Sequence, residues 1–184
     1  MLNRTFAASA LLLLCAPAAA QEAVSMAYDA KAVDATPARL AGACPITVTD
    51  VTDQRNNKET VGSDYKALLS RDPVPWVGAA LGQLRDYGYT VASAGSAKPG
   101  EVALSATLKR AYTFNGPMRI NGVVAMDVRI TTASGKQLER RYRAYGSKTN
   151  MMAATDEYMT TLNYAINNLL VQLSADLQQA CAGK

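Results

Sequence analysis

Three consecutive stretches of the chain alternate apolar and polar residues, and this pattern limits the possible folds more than any other feature. The stretches cover residues 102–109, 118–131 and 137–146. Because alternate residues of a strand point to opposite faces, each stretch predicts a strand with one apolar and one polar side. Turn-forming segments separate the strands, at Asn115-Gly116-Pro117 and Ala133-Ser134-Gly135-Lys136. We therefore expect an antiparallel meander with one face in water.

The same alternation predicts which side chains face the core. In the second and third strands the apolar side is expected to carry Met118, Ile120, Val124, Met126, Val128, Ile130, Leu138, Tyr142 and Ala144. An earlier segment, residues 44–51, is rich in β-branched residues and predicts a further strand.

Two amphipathic helices complete the predicted fold. Asp72 and Pro73 are typical of a helix start, with Asp72 as N-cap, and Gly88 is typical of a helix end. From Thr155 to Ala180, apolar residues recur in steps of three and four, which predicts a long helix. The expected architecture is α+β: a two-layer sandwich, with an antiparallel or mixed sheet of about four strands and two helices on its apolar face.

The first twenty residues have the pattern of an export signal. Arg4 precedes an apolar run over residues 6–15, and small residues follow up to Ala20. The run is shorter than the ~20 apolar residues that span a bilayer, and no later run approaches that length. We expect cleavage near Ala20 and a periplasmic product without a transmembrane segment. In that product we expect a poorly ordered leader over 21–43 and a single domain over 44–184.

The predicted mature chain contains two cysteines, Cys44 and Cys181. Exported proteins usually oxidise an even number of cysteines, so we expect these two to form a disulfide. Two separate buried thiols are the alternative.

Basic residues are concentrated in the predicted meander, where nine of them between positions 109 and 148 stand against two acidic residues. Four arginines fall on the polar side of the strands: Arg119, Arg129, Arg141 and Arg143. Guanidinium groups bind phosphates and carboxylates through paired hydrogen bonds, so this face is a candidate site for an anionic lipid or polymer, or for an envelope protein. The alternative is a solvated face on which the arginines pair with Asp127 or Glu139.

Several classes of function are not expected. The chain has no histidine, which excludes Ser–His and Cys–His catalysis and histidine-based metal sites. Nucleic acid is not an expected partner of an exported chain on whose polar face Tyr145 is the only predicted aromatic residue. We expect no catalytic residue, metal or cofactor. A hydrolase acting through Asp50 or Asp53 is the alternative, because paired carboxylates can cleave glycosides.

Short motifs in this chain resemble those of the YajG-type envelope lipoproteins. They are the strand from Ile46 to Arg55, which ends in an Asp-x-Arg turn, the Val61-Gly62 step and the helix end Leu84-Arg85-Asp86-Tyr87-Gly88-Tyr89. The chain is more distantly similar to auxiliary lipoproteins of ABC-type lipid transporters. The resemblance implies a non-enzymatic accessory or binding protein of the envelope, or an auxiliary component of a lipid-transport or assembly complex. It transfers no catalytic residue.

The sequence departs from those relatives at the lipidation site. Their acylated cysteine follows a small residue, whereas Leu14 precedes Cys15 here. We therefore expect a soluble periplasmic protein. An outer-membrane lipoprotein anchored at Cys15 is the alternative.

Overall fold

The computed structural model describes residues 23–32, 39, 43–56, 69–93, 95–149 and 155–183. Two sequence predictions lie outside these residues. They are the export signal over residues 1–20, with its possible lipidation site at Cys15, and the Val61-Gly62 motif. Within the described ranges, no helix combines the length and the apolar character needed to cross a membrane.

The described part of the chain contains seven strands and two α-helices. The strands are β1 (Ala23–Ser25), β2 (Pro45–Asp53), β3 (Leu69–Arg71), β4 (Thr90–Ser93), β5 (Val102–Gly116), β6 (Arg119–Thr131) and β7 (Gln137–Thr149). The helices are α1 (Pro73–Gly82), which continues into a 3₁₀ helix over Gln83–Tyr87, and α2 (Thr155–Cys181).

Five strands form one mixed sheet in the order β4-β2-β5-β6-β7. Both β4 and β5 run parallel to β2, whereas β5, β6 and β7 form the predicted antiparallel meander. The sheet has five strands rather than about four because the short segment after Gly88 pairs with β2 as an edge strand. The predicted α+β sandwich is confirmed, and β1 and β3 add a small parallel pair beside it.

The core lies between the helices and the apolar face of the sheet. The apolar stripe of α2 is buried, and so is Trp76 of α1, whose indole N–H donates to Asn163 Oδ1 at 2.8 Å. Gly122 of β6 and Gly146 of β7 are paired in register, and α2 packs directly against them. A Cβ atom at Gly146 would lie 2.3 Å from the carbonyl oxygen of Thr161, and one at Gly122 would lie 2.6 Å from it. Only bare backbone at these positions allows the helix to pack so closely.

A disulfide joins Cys44, beside the start of β2, to Cys181 at the end of α2, with 5.5 Å between the two Cα atoms. The prediction of this bridge is confirmed. It closes a loop with a sequence separation of 137. By the chain-entropy account, a loop of this length stabilises the folded state by about 4–5 kcal/mol.

The expectation of a poorly ordered leader over 21–43 is wrong for residues 23–32. Val24 and Met26 are buried in the core. Side-chain amides of α2 also hold this segment: Asn163 donates to the carbonyl of Ala27 at 3.1 Å, and Asn167 donates to that of Ala32 at 2.7 Å. These contacts come from a helix far along the chain, so the local composition gave no sign of them.

Two local predictions also need correction. Asp72 has a φ of 55° and makes no side-chain cap to α1; its carboxylate instead accepts a hydrogen bond from Ser25 Oγ at 3.4 Å. Met118 does not face the core but lies in the turn between β5 and β6, with 81% of its surface exposed. Because β5 extends to Gly116, that turn falls later than the alternation predicted.

Candidate functional site on the open face of the sheet

The helices cover one face of the sheet, and we call the opposite side the open face. All four arginines predicted for the polar side lie on it, as strand alternation requires. The open face divides along the strands into two parts. The acid–base end comprises Asp50, Thr52, Gln54, Ser105, Thr107, Asp127, Arg129, Glu139 and Arg141. The aromatic–arginine end comprises Arg110, Tyr112, Phe114, Met118, Arg119, Asn121, Val123, Ala125, Arg143 and Tyr145.

At the acid–base end, two of the predicted arginines pair with carboxylates directly across the strands. Arg129 Nε lies 2.5 Å from Glu139 Oε1. Arg141 binds Asp127 through two hydrogen bonds, Nε to Oδ1 at 2.6 Å and Nη2 to Oδ2 at 2.8 Å. The hydrogen bond from Arg141 lowers the pKa of Asp127, and the same bond raises the pKa of Arg141. The cross-strand pairing that the sequence left open as an alternative is therefore present for these two arginines.

A shallow, open depression of about 500 Å³ lies over the acid–base end. Its lining residues come from four neighbouring strands and are mostly polar: Asp50, Thr52, Gln54, Ser105, Thr107, Asp127, Val128, Arg129, Glu139, Arg140 and Arg141. Charges of both signs alternate across it, so it offers no net preference for an anion.

The two aspartates of the hydrolase alternative do not form a catalytic pair. Asp50 is exposed on the open face, whereas Asp53, three residues further along the strand, points to the other side. There its carboxylate binds the buried Arg55, with 2.9 Å between Oδ1 and Nε. Asp127 does not supply the missing acid, because a general acid needs a raised pKa and the pKa of Asp127 is lowered. Within the described residues, no three histidine, cysteine or carboxylate groups lie together as metal ligands.

The aromatic–arginine end contains more aromatic residues than the sequence predicted. A bulge after Leu108 shifts the alternation of β5 by one residue. Ala111 consequently faces the helices, whereas Tyr112 and Phe114 join Tyr145 on the open face, so the expectation of a single aromatic there was wrong. The rings of Tyr112 and Phe114 lie 6.3 Å apart between centroids.

These aromatic side chains build a small surface of their own. Val123 is completely buried although it lies on the open face, where its neighbours in register are Tyr112 and Tyr145. The guanidinium carbon of Arg143 lies 5.0 Å from the centroid of the Tyr145 ring, a cation–π geometry. Even so, Phe114 remains 41% exposed and Tyr145 54% exposed.

Side chains block part of both sheet edges. On β7, Asn168 and Gln172 of α2 donate to the backbone oxygens of Tyr145 and Arg143, at 2.8 and 3.2 Å. On β4, Arg85 Nη2 donates to the backbone oxygen of Val91 at 2.7 Å. A partner strand cannot use these carbonyls without displacing the side chains, so the open face is a better candidate contact surface than the edges.

No family model matches the sequence, and no curated protein matches it. Among solved structures, protein XCC0632 from Xanthomonas campestris, described by the family model DUF330, has a TM-score of 0.57 at 8% identity. The match covers 88% of this chain and 97% of that one.

More distant matches include two bacterial lipoproteins. The minor lipoprotein from Acinetobacter baumannii has a TM-score of 0.43 at 12% identity, covering 71% of this chain and 93% of that one. The rare lipoprotein B from Shewanella oneidensis has a TM-score of 0.37 at 6% identity, covering 73% and 95%. At these identities the comparisons concern the fold, and the fold of this chain is that of the Xanthomonas protein.

Proposed function

We propose that this protein is a non-catalytic accessory protein of the bacterial envelope, which binds an anionic envelope component or a protein partner through its open face. The observation that carries the proposal is the aromatic–arginine end. There Arg119 and Arg143 form no ion pair with any described residue. Arg143 lies over the exposed Tyr145 ring, and exposed Phe114 is two residues along β5 from the register partner of Arg119. Exposed aromatic rings do not increase solubility, so their position beside these two arginines indicates a contact surface.

The envelope location rests on the sequence. The export-signal pattern before Gln21 and the motifs that resemble YajG-type lipoproteins both support it. In this proposal the exported chain begins near Gln21 and is periplasmic, with anchoring at Cys15 as the alternative.

Arg129 and Arg141 have a secondary role in this proposal. Their partners Glu139 and Asp127 already neutralise them, so an incoming anion has to compete with a carboxylate that is held in place. Arg119 and Arg143 are the better residues for a test, because neither has a carboxylate partner among the described residues.

The proposal is tested by capture from detergent-solubilised envelopes, with crosslinking, using a chain that carries both Arg119→Glu and Arg143→Glu. We expect this variant to lose the species that the unmodified chain captures. A chain with Lys98→Glu and Lys136→Glu is the matched control, since it changes charge equally at exposed positions near the other end of the strands. Equal capture by the arginine variant and the control contradicts the proposal.

A further inference from the structure

The turn between β5 and β6 holds an apolar side chain at a position that ordinarily takes glycine. Met118 follows Pro117 and has a φ of 56°. Proline followed by a residue of positive φ is the pattern of a type II turn, in which glycine or asparagine is preferred at the second position. The side chain is also 81% exposed. Neither the backbone strain nor the exposure stabilises the folded chain, which indicates a role in contact with something else.

The charges around Met118 are all of one sign along the open face. Arg110, Arg119 and Arg143 are exposed there, and no described acidic residue belongs to the aromatic–arginine end. The acid–base end of the same strands neutralises Arg129 and Arg141 with Glu139 and Asp127. The excess of positive charge is therefore confined to the end that also exposes apolar groups.

The shape of this end suits a surface rather than a small molecule. Its exposed apolar groups project outward from the turn and the strands, and the depression in the open face lies over the other end. Arg143 is in register with Ala125, six residues along β6 from Arg119, so the strip is roughly 20 Å long at about 3.4 Å per residue. A strip of this length can lie along an extended anionic surface.

We propose that the aromatic–arginine end binds the surface of an anionic phospholipid bilayer. Arg110, Arg119 and Arg143 contact the headgroups, while Met118 and Phe114 enter the boundary with the acyl chains. Arginine stems and tyrosine rings suit this boundary because each has an apolar body and a polar tip. The inference rests on the proposed function, since it specifies which anionic component the open face binds.

The first test measures sedimentation with vesicles, using the chain from Gln21, which contains every described residue. We expect binding to vesicles of phosphatidylethanolamine and phosphatidylglycerol, weak binding to phosphatidylcholine alone, and a decrease in binding with salt. Because a basic residue near an anionic surface is worth about 1 kcal/mol, Arg119→Gln with Arg143→Gln should weaken binding roughly thirtyfold. Lys98→Gln with Lys136→Gln is the matched control and should bind nearly as the unmodified chain does.

A second variant, Met118→Gly, separates binding from folding. Glycine adopts a positive φ without strain, so this variant should unfold at the same temperature as the unmodified chain or higher. Removal of the methionine side chain should nevertheless weaken binding to the anionic vesicles by roughly tenfold. Unchanged binding by Met118→Gly overturns the membrane inference.

The outcomes distinguish this inference from the proposed function. If the unmodified chain does not bind anionic vesicles, or if the arginine variant binds them equally, the bilayer is not the partner. If envelope capture still depends on Arg119 and Arg143 in that case, a protein partner uses the same surface and the proposed function stands. If neither vesicles nor envelope components depend on these arginines, both proposals fail.

Discussion

The two faces of the sheet differ in what their side chains contact: one face packs against the helices, and the other faces solvent. On the covered face of β6 and β7, apolar side chains fill the core and two glycines allow α2 to pack closely, while Arg140 pairs with Asp176 of α2. On the open face the side chains change partway along β6 and β7. Arginines paired with carboxylates give way to Arg119 and Arg143, which have no ion-pair partner among the described residues, beside exposed rings of β5 and β7. The covered face is thus explained by folding alone, whereas half of the open face is not.

The contrast is sharpest for the ion pairs. Asp176 of α2 is buried, and its carboxylate accepts hydrogen bonds from Arg140 at 2.7 and 3.0 Å and from the Tyr142 hydroxyl at 2.5 Å. On the open face, Asp127 holds Arg141 at similar distances but in contact with water. Water screens the second pair and competes for its hydrogen bonds, so equal geometry does not mean equal energy.

The largest expected effect on stability comes from adding a side chain at Gly146, where α2 packs against β7. Gly146→Val should destabilise the protein by about 3 kcal/mol or more, because its Cβ would overlap the backbone of α2 at Thr161 and Ala165. Ser147→Val is the matched control: it places the same side chain on the next residue, which is exposed, and should change stability by less than about 0.5 kcal/mol. Denaturant unfolding measures both. Equal effects would show that the helix is not held to the strands at this glycine.

The next prediction compares the two aspartates. Asp176→Ala should cost about 2 kcal/mol of unfolding free energy, since it leaves the buried Tyr142 hydroxyl without an acceptor and removes a charged hydrogen-bond partner. The pKa of that tyrosine is raised, mainly by burial and then by the hydrogen bond to Asp176, so it remains a proton donor over the working pH range. Asp127→Ala should lower the unfolding free energy by less than about 0.5 kcal/mol, because its ion pair with Arg141 is exposed to water. A larger loss for Asp127→Ala than for Asp176→Ala would reverse the ranking of the two faces.

The sequence predicted the covered face better than the open face, and the reason is physical. A buried stripe such as Leu162, Ile166 and Leu169 leaves a periodic signal, because every turn of the helix must contribute to the same core. The aromatic–arginine end depends on one bulge at Lys109, which shifts Tyr112 and Phe114 to the open face. No residue type marks that bulge.

Long-range hydrogen bonds were equally hidden from the sequence. No local sequence pattern predicts that Asn163 and Asn167 bind residues 23–32. The same is true of the ion pair between Asp176 and Arg140. Only the resulting fold brings these partners together. The ion pairs of the open face could be anticipated as alternatives because Asp127 and Glu139 stand on strands joined by a short hairpin, where the register follows from the turn.

The smallest effect concerns the charge pair of the open face itself. Because Arg141 lowers the pKa of Asp127, NMR titration of that carboxyl should give a midpoint below the ordinary value of 3.8. A lowered pKa in the folded state means that the pair favours folding above the unfolded pKa, and that this contribution is lost as the pH falls through the folded value. Arg141→Gln should return the midpoint toward the ordinary value, whereas Arg129→Gln should leave it where it was, since Arg129 binds Glu139. If both variants moved the midpoint equally, Arg129 and Arg141 would both act on Asp127. The description of the acid–base end as two independent cross-strand ion pairs would then be wrong.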